Sequence, residues 1–266
     1  MSERAAGRKQ IFLATDLDGT LLRSVRCRRP QDIIVDMSAG RACAFLPAKL
    51  AAGLPALRAQ VRIAAVTSRS VEQYLRITWP PGCEPEIAVT TNGANLLRGR
   101  SLDADWREAS RAFTAPWLPL LEEVTAQLRR ERGVHTCRVC DEAFAVAVCV
   151  NPQDAARVLH NTEAGPLTAF VSGRKVYFLP PELNKGTALR RLEALPEMQE
   201  TDLTVAAGDA ALDLPMLAGA DAAVTVPALA ADLAGGPRVF TAPSPADLPE
   251  LVLEAVYRLS ESGLPG

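Results

Sequence analysis

Ile11-Phe12-Leu13-Ala14-Thr15-Asp16-Leu17-Asp18-Gly19-Thr20 is an apolar run that stops at two carboxylates one residue apart and then turns on Gly-Thr. A buried strand ending this way carries both acids to its C-terminal edge, where open α/β sheets bind ligands. Two carboxylates held there repel unless a cation lies between them, and a hard divalent ion such as Mg²⁺ suits oxygen donors. Gly19 gives the chain freedom to turn, and Thr20 offers a hydroxyl. An Asp-x-Asp in a loop is usually only a turn; the apolar run before it and Gly-Thr after it separate this segment from that case.

Further apolar runs follow at 61–67, 87–90, 203–207, 222–226 and 238–241, alternating with helical patterns at 48–60, 70–76, 186–195, 213–217 and 245–259. Strand and helix in alternation predict a Rossmann-like parallel α/β sheet. The last helix has Ser244 in a capping position and an apolar face of Leu248, Leu251, Leu253, Val256 and Leu259. Two short strands at 32–37 and 42–46, joined by Ser38-Ala39-Gly40-Arg41, form a hairpin beside the acidic edge, as a flap or as a decorated loop.

The segment 101–180 has a different texture. A helical pattern over 106–132, an alternating pair of strands over 134–150, a helix over 152–159 and a hairpin over 169–179 turning at Ser172-Gly173 make an α+β module. Pro180-Pro181 marks the return. The expected division is therefore a core of 1–100 and 181–266 with a cap of 101–180.

With 266 residues, 48% of them apolar and 23% charged, the chain can fill a sizeable core. A formal net charge of -2 marks no surface for nucleic acid or anionic membrane. No apolar stretch reaches the ~20 residues of a membrane span, and the polar segment 1–10 does not read as a signal peptide, so a cytoplasmic protein is expected. Cys137-Arg138-Val139-Cys140, with His135 close by, has the spacing of half a zinc site. There is no second such pair, and in an alternating strand a cysteine reads as a small hydrophobe.

Three more segments carry chemistry. Thr67-Ser68-Arg69-Ser70 follows the second core strand and opens a helix, where a hydroxyl and free N–H groups can cradle phosphate. Asn184-Lys185-Gly186-Thr187 opens the helix after the insert; a lysine there opposes the helix dipole and favours a compensating anion, while Gly186 permits close approach. Gly208-Asp209-Ala210-Ala211-Leu212-Asp213 adds two more acids after an apolar strand.

In this order, the segments resemble the four motifs of haloacid dehalogenase (HAD) superfamily phosphatases with a C2-type cap, in the Cof-like and sucrose-phosphate-phosphatase-like branch. Thr91-Asn92-Gly93-Ala94 is similar to the segment those proteins carry before the cap. Residues 66–77, 91–97 and 102–106 also resemble a bacterial subfamily associated with tellurium-resistance and stress gene clusters, which says little about substrate.

The resemblance implies a Mg²⁺-dependent phosphatase acting through an aspartyl-phosphate on a small phosphorylated metabolite, with sugar phosphates among the candidates. Asp16 would be the nucleophile and Asp18 the general acid and base. Thr67 and Lys185 would hold the phosphoryl oxygens. The metal would be bound by Asp16, the Asp18 backbone carbonyl and Asp209, with Asp213 either a further ligand or a support behind them. Ser68, Arg69, Asn92 and Gly93 are the expected substrate contacts on the core, and Arg138, Asp141, Glu142, Arg174 and Lys175 are candidates on the cap. Ala210 and Leu212 stand where the family often has Ser and Asn, which removes hydrogen bonds around the metal. A phosphomutase or phosphotransferase shares these motifs, and a non-catalytic phosphometabolite-binding module is the alternative from another class.

Overall fold

A strand covered on both faces must be apolar along its whole length, and Ile11–Thr15 is buried at every position. The computed structural model describes residues 10–262, so all of the polar 1–10 segment except Gln10 lies outside the described residues. From the N-terminus, β1 (Ile11–Thr15) leads to a hairpin of β2 (Ile33–Ser38) and β3 (Arg41–Leu46), then α1 (Ala48–Arg58), β4 (Val61–Val66), α2 (Val71–Leu75), β5 (Ile87–Thr90), β6 (Asn95–Arg98) and β7 (Ser101–Leu102). Next come α3 (Ala104–Thr114), α4 (Leu118–Leu128), β8 (Val134–Cys140), β9 (Phe144–Cys149), α5 (Pro152–Asn161), β10 (Thr168–Ser172) and β11 (Lys175–Leu179). The chain returns through α6 (Lys185–Glu193), β12 (Leu203–Ala207), α7 (Leu214–Ala218), β13 (Ala222–Thr225), α8 (Pro227–Ala230), β14 (Arg238–Thr241) and α9 (Leu248–Ser262).

The large sheet runs β14-β13-β12-β1-β4-β5-β6-β7. The six strands expected from the sequence form its parallel part, and in chain order they lie 3-2-1-4-5-6 from β5 to β14, the doubly wound arrangement. The order reverses between β1 and β12. Thr15 pairs with Ala207 on one side and with Ala65 on the other, so the residues just past all three strands share one edge. Two short antiparallel strands, β6 and β7, extend the sheet beyond β5 and were not legible as strands.

The second sheet is antiparallel, ordered β10-β11-β9-β8. Its central strand reads Phe-Ala-Val-Ala-Val-Cys, and the period of two sorts it by size. Ala145, Ala147 and Cys149 face α4 and α5, packing with Leu121, Val124 and Val158. Phe144 and Val146 face the other way, with Tyr177, Leu179 and Leu212.

The helix expected over 106–132 is two helices, α3 and α4, with a single 3₁₀ turn at Ala115–Trp117 between them. Pro116 and Pro119 explain the break, since proline donates no N–H and its ring crowds the carbonyl four residues back. The last helical segment likewise begins as a 3₁₀ turn at Pro245–Asp247, and the Ser244 hydroxyl donates to the Asp247 carboxylate instead of capping a backbone N–H.

The hairpin turns at Ala39 and Gly40, both left-handed, as a tight two-residue connection requires. Its base is tied to the C-terminal helix by Arg23, whose guanidinium donates to Asp32 (2.9 Å), to the Ala246 carbonyl and to both oxygens of Glu250. Arg23 and Asp32 are fully buried, so removing one strands the charge of the other. Arg23→Met is expected to cost about 3 kcal/mol of unfolding free energy in a denaturant titration; a loss under about 0.5 kcal/mol, as at an ordinary surface position, would refute this role.

Candidate active site

The site is assembled at the switch point. The Asp16 N–H donates to the Ala207 carbonyl (2.9 Å), which extends the β1–β12 ladder one residue past Thr15 and fixes the first acid against the second strand. Lys185, the first residue of α6, is 2% exposed and reaches between two carboxylates, 2.6 Å from Asp16 Oδ1 and 2.5 Å from Asp213 Oδ1. The helix starts cleanly because the Asn184 side chain accepts from the Thr187 N–H. Gly186 allows a close approach, but to α7: a Cβ there would lie 2.6 Å from the Pro215 carbonyl oxygen.

Asp213 uses its second oxygen to accept from the Asp209 and Ala210 N–H groups, both at 2.9 Å. This shapes the loop after β12 with backbone donors, so it works although Ala210 has no polar side chain. Asp209 Oδ1 accepts from the Thr20 hydroxyl (3.1 Å). Gly19 lies at φ +93°, and a Cβ there would come within 2.3 Å of the Asp209 carboxylate. The turn after Asp18 therefore needs glycine for its conformation and for the space it leaves.

Asp16, Asp209 and Asp213 bring one oxygen each within 4.8 Å of the others. Burial pushes the Asp16 carboxyl up to about 8 against the pull of Lys185, with the charges of Asp213, Asp209 and Asp18 adding to the rise. Burial and the Asp213 charge push Asp209 up to about 6. Lys185 is also raised: burial opposes its charge, and Asp16 and Asp213 outweigh it. Three carboxylates around one ammonium leave negative charge in excess. A hard divalent cation fits both that charge and the all-oxygen donor set. The Asp18 side chain is outside this cluster.

Asp18 is 51% exposed and is gripped by Arg69 through two bonds of 2.7 Å, Nε to Oδ2 and Nη2 to Oδ1. Against desolvation by the cleft, those bonds and the Arg69 charge hold its carboxyl below the ordinary range. Arg69 also donates to Asp36 (2.7 Å) and to the Gln73 carbonyl. Asp36 belongs to the hairpin, is 1% exposed, and is shared with Arg76 (2.6 Å). Asp36 escaped the sequence reading. Its strand does not alternate: Ile33 and Ile34 are exposed and Val35 and Asp36 buried, where a bulge between Ile34 and Asp36 interrupts the period of two.

The other expected residues divide into lining and support. Ser68 lines the cleft, and Thr67 lies beneath it, buried, its Oγ1 accepting from the Arg69 N–H (3.2 Å). Thr91, Asn92 and Gly93 are three successive left-handed residues whose N–H groups at Thr91 and Asn92 tie back to the carbonyls of Arg69 and Thr67. Asn92 is 0% exposed, its side-chain amide has no hydrogen-bond partner, and neither it nor Gly93 lines the cleft.

On the cap, Lys175 lines the cleft beside Asp16 and Asp18, and Arg138 lines a cavity adjoining it. Asp141, at the left-handed tip of the β8–β9 hairpin, is spent on the core: its carboxylate accepts from the Val71 N–H (3.1 Å) at the start of α2 and from the Thr91 hydroxyl. Glu142 and Arg174 lie on the outer surface, Glu142 near Arg111 and Arg174 near the Val150 carbonyl. Cys137 and Cys140 line the same cavity as Arg138. Leu212, in the place of a family asparagine, packs into the apolar contact between cap and core.

The model of the sucrose-6F-phosphate phosphohydrolase family matches residues 9–234. The chain belongs to that family. It is a HAD-superfamily member of the phosphoric monoester hydrolase class, as the motif order implied. No curated protein matches the chain. Among solved structures, the sucrose-phosphatase of Synechocystis, in complex with sucrose and phosphate, is similar at 19% identity and TM-score 0.59, over 94% of this chain and 98% of that one. The trehalose-6-phosphate phosphatase C-terminal domain of C. albicans aligns at 14% identity and TM-score 0.64, covering 95% and 93%. A HAD subclass IIB sugar phosphatase aligns at 14% identity and TM-score 0.59, covering 94% and 99%. At these identities the neighbours establish the fold. Among the described residues, no helix is long and apolar enough to cross a membrane.

The buried acids Asp16 and Asp209 carry a testable signature. With Asp16 and Asp209 raised above the ordinary aspartate value of about 3.9, the metal-free protein loses stability at these groups as pH rises from about 4 toward 8. A bound cation needs them ionised and removes the loss. Saturating Mg²⁺ is expected to raise the melting temperature by roughly 5 °C at about pH 9 and by much less at about pH 5, by scanning fluorimetry. Equal increments at both would count against metal binding by these carboxylates.

Proposed function

We propose that this protein is a Mg²⁺-dependent phosphatase that hydrolyses a small phosphorylated metabolite through a phosphorylated Asp16. The observation that carries the reading is the buried Lys185 ammonium held between Asp16 and Asp213 at the edge of a cleft covered by the cap. A sugar phosphate is the first class to test, because the family description and the names of the neighbours point to phosphorylated sugars.

In this reading an Asp16 oxygen attacks phosphorus, and the bond to the leaving oxygen breaks as that oxygen takes a proton from Asp18. Water then attacks the acyl phosphate; Asp18 takes its proton, and phosphate leaves with Asp16 restored. Lys185 orients Asp16 and neutralises charge that builds on the phosphoryl oxygens. Thr67 uses its hydroxyl oxygen as an acceptor for Arg69, which leaves its proton to donate to the phosphoryl group. Asp16, Asp209 and Asp213, with the Asp18 backbone carbonyl, would hold Mg²⁺, which when bound would offset the negative charge of the phosphoryl group. Ser68 lines the cleft and is the favoured substrate contact on the core. Arg69 is a positioning residue in this scheme, since Asp18 and Asp36 occupy its guanidinium. Asp18 can deliver a proton only after its contact with Arg69 opens.

The test is phosphate release from p-nitrophenyl phosphate and a panel of sugar phosphates, with Mg²⁺ or EDTA. Asp16→Asn should abolish Mg²⁺-dependent release while leaving the protein folded, as read by circular dichroism. Asp18→Asn should lower turnover by about 10²–10⁴-fold. Release that persists in Asp16→Asn would remove the nucleophile assignment, and an unchanged rate in Asp18→Asn would remove the acid–base role.

A further inference from the structure

Two cavities meet above Asp16. The smaller, about 180 Å³, contains Asp16, Lys185, Asp209 and Asp213. The larger, about 380 Å³, lies between Ser68 and Gln73 of the core and the inner face of the cap sheet. They share Ser68, Lys175 and Tyr177, so a phosphoryl group at Asp16 directs the rest of its molecule into the larger space.

The register of the cap sheet determines what that space presents. Val146 and Val148 are two apart on β9 and share a face. Arg138 of β8 pairs with Val146, and Lys175 of β11 pairs with Val148, so both cations stand on that same face, one on each side of β9. Phe144 and Tyr177, with ring centroids 5.9 Å apart, complete an apolar wall.

The larger cavity is lined by no carboxylate; among the described residues neither Arg138 nor Lys175 is within salt-bridge distance of an acid, and Lys175 feels the Tyr177 hydroxyl and the Asp18 charge. The nearby acids are engaged elsewhere: Asp18 with Arg69, and Asp141 with the Val71 N–H and the Thr91 hydroxyl. Gln73 has already committed its side-chain oxygen to the Ser70 N–H. The space presents two cations and no carboxylate, and the hydroxyls of Ser68, Thr136 and Tyr177 can each donate or accept. Those hydroxyls could serve a polyol, but only an anion uses the two cations as well: a carboxylate or phosphate needs only donors and is favoured by positive charge.

Resting on the phosphatase reading, we propose that the leaving group of the substrate carries a second anionic group, carboxylate or phosphate, bound by Arg138 and Lys175. The substrate class is then the phosphomonoesters of hydroxy acids, including sugar acids, or bisphosphates.

Matched pairs test this and separate the two sources. In 3-phosphoglycerate against glycerol 3-phosphate, and in 6-phosphogluconate against sorbitol 6-phosphate, a carboxylate replaces a terminal alcohol. Fructose 1,6-bisphosphate against fructose 6-phosphate adds a phosphate. A preference in kcat/KM of about 10- to 100-fold for the anionic member is expected in the carboxylate pairs or in the phosphate pair, which names the source. Arg138→Met and Lys175→Met should each bring that ratio toward one. Arg174→Met, which removes a cation outside both cavities, should keep it. Calorimetric binding of each pair to Asp16→Asn with Mg²⁺ reads the same ratio without turnover. If no compound is hydrolysed, the phosphatase reading fails, and the binding ratio alone decides this inference. Ratios of one or less in all three pairs, no detectable binding, or a preference that survives the double variant would overturn it.

Discussion

A buried lysine between two buried aspartates is the constraint on which the site depends. Lys185 starts a helix, where the dipole disfavours a cation, and it is sealed from water. It is tolerated there because Asp16 and Asp213 accept from it at 2.6 and 2.5 Å. The three groups come from distant parts of the chain, after β1, at the start of α6 and after β12. Bringing them together requires β1 and β12 to be neighbours, and the residues Ile11 to Thr15 lie in register with Leu203 to Ala207. The ion triad and the sheet order therefore imply one another: the fold creates the negative excess that a divalent cation fits, and the apolar strands give it the low dielectric that makes it consequential.

A second set of polar contacts fixes what surrounds the triad. The hairpin Asp36 holds Arg69 and Arg76, and Arg69 in turn holds Asp18. The early hairpin is thus more than decoration: it supplies a buried carboxylate that leaves Arg69 in one orientation, and through it fixes the acid two residues from Asp16. The cap is joined to the core by the Asp141 tip on α2 and by the apolar group that includes Leu212 and Tyr177. Ala210 and Leu212, the departures from the family pattern, fall in with this arrangement. The N–H groups of Asp209 and Ala210 hold Asp213 without any polar side chain at 210, and Leu212 contributes to the cap contact.

What the sequence determined by itself was the core and the identity of its acids. Strands buried on both faces must be largely apolar, so the central parallel strands could be read directly, and an acid or hydroxyl just past such a strand can only lie at the sheet edge. The edge strand Arg238–Thr241 is half exposed and was read from the alternation of strand and helix. The period of two likewise sorted the cap strand Phe144–Cys149 into a small-residue face under helices and a large-residue face toward the core. Tertiary structure alone decided which polar groups pair. A β-bulge interrupted the period of its strand where Asp36 is buried, Arg69 was drawn to two carboxylates far away in sequence, and Asn92 was enclosed. The long helix broke at Pro116 and Pro119, whose cost depends on whether a turn can absorb the missing donors. Local pattern reports burial, because burial follows the period of the backbone. It cannot report pairing, because the partner of a buried charge is chosen by distance in space.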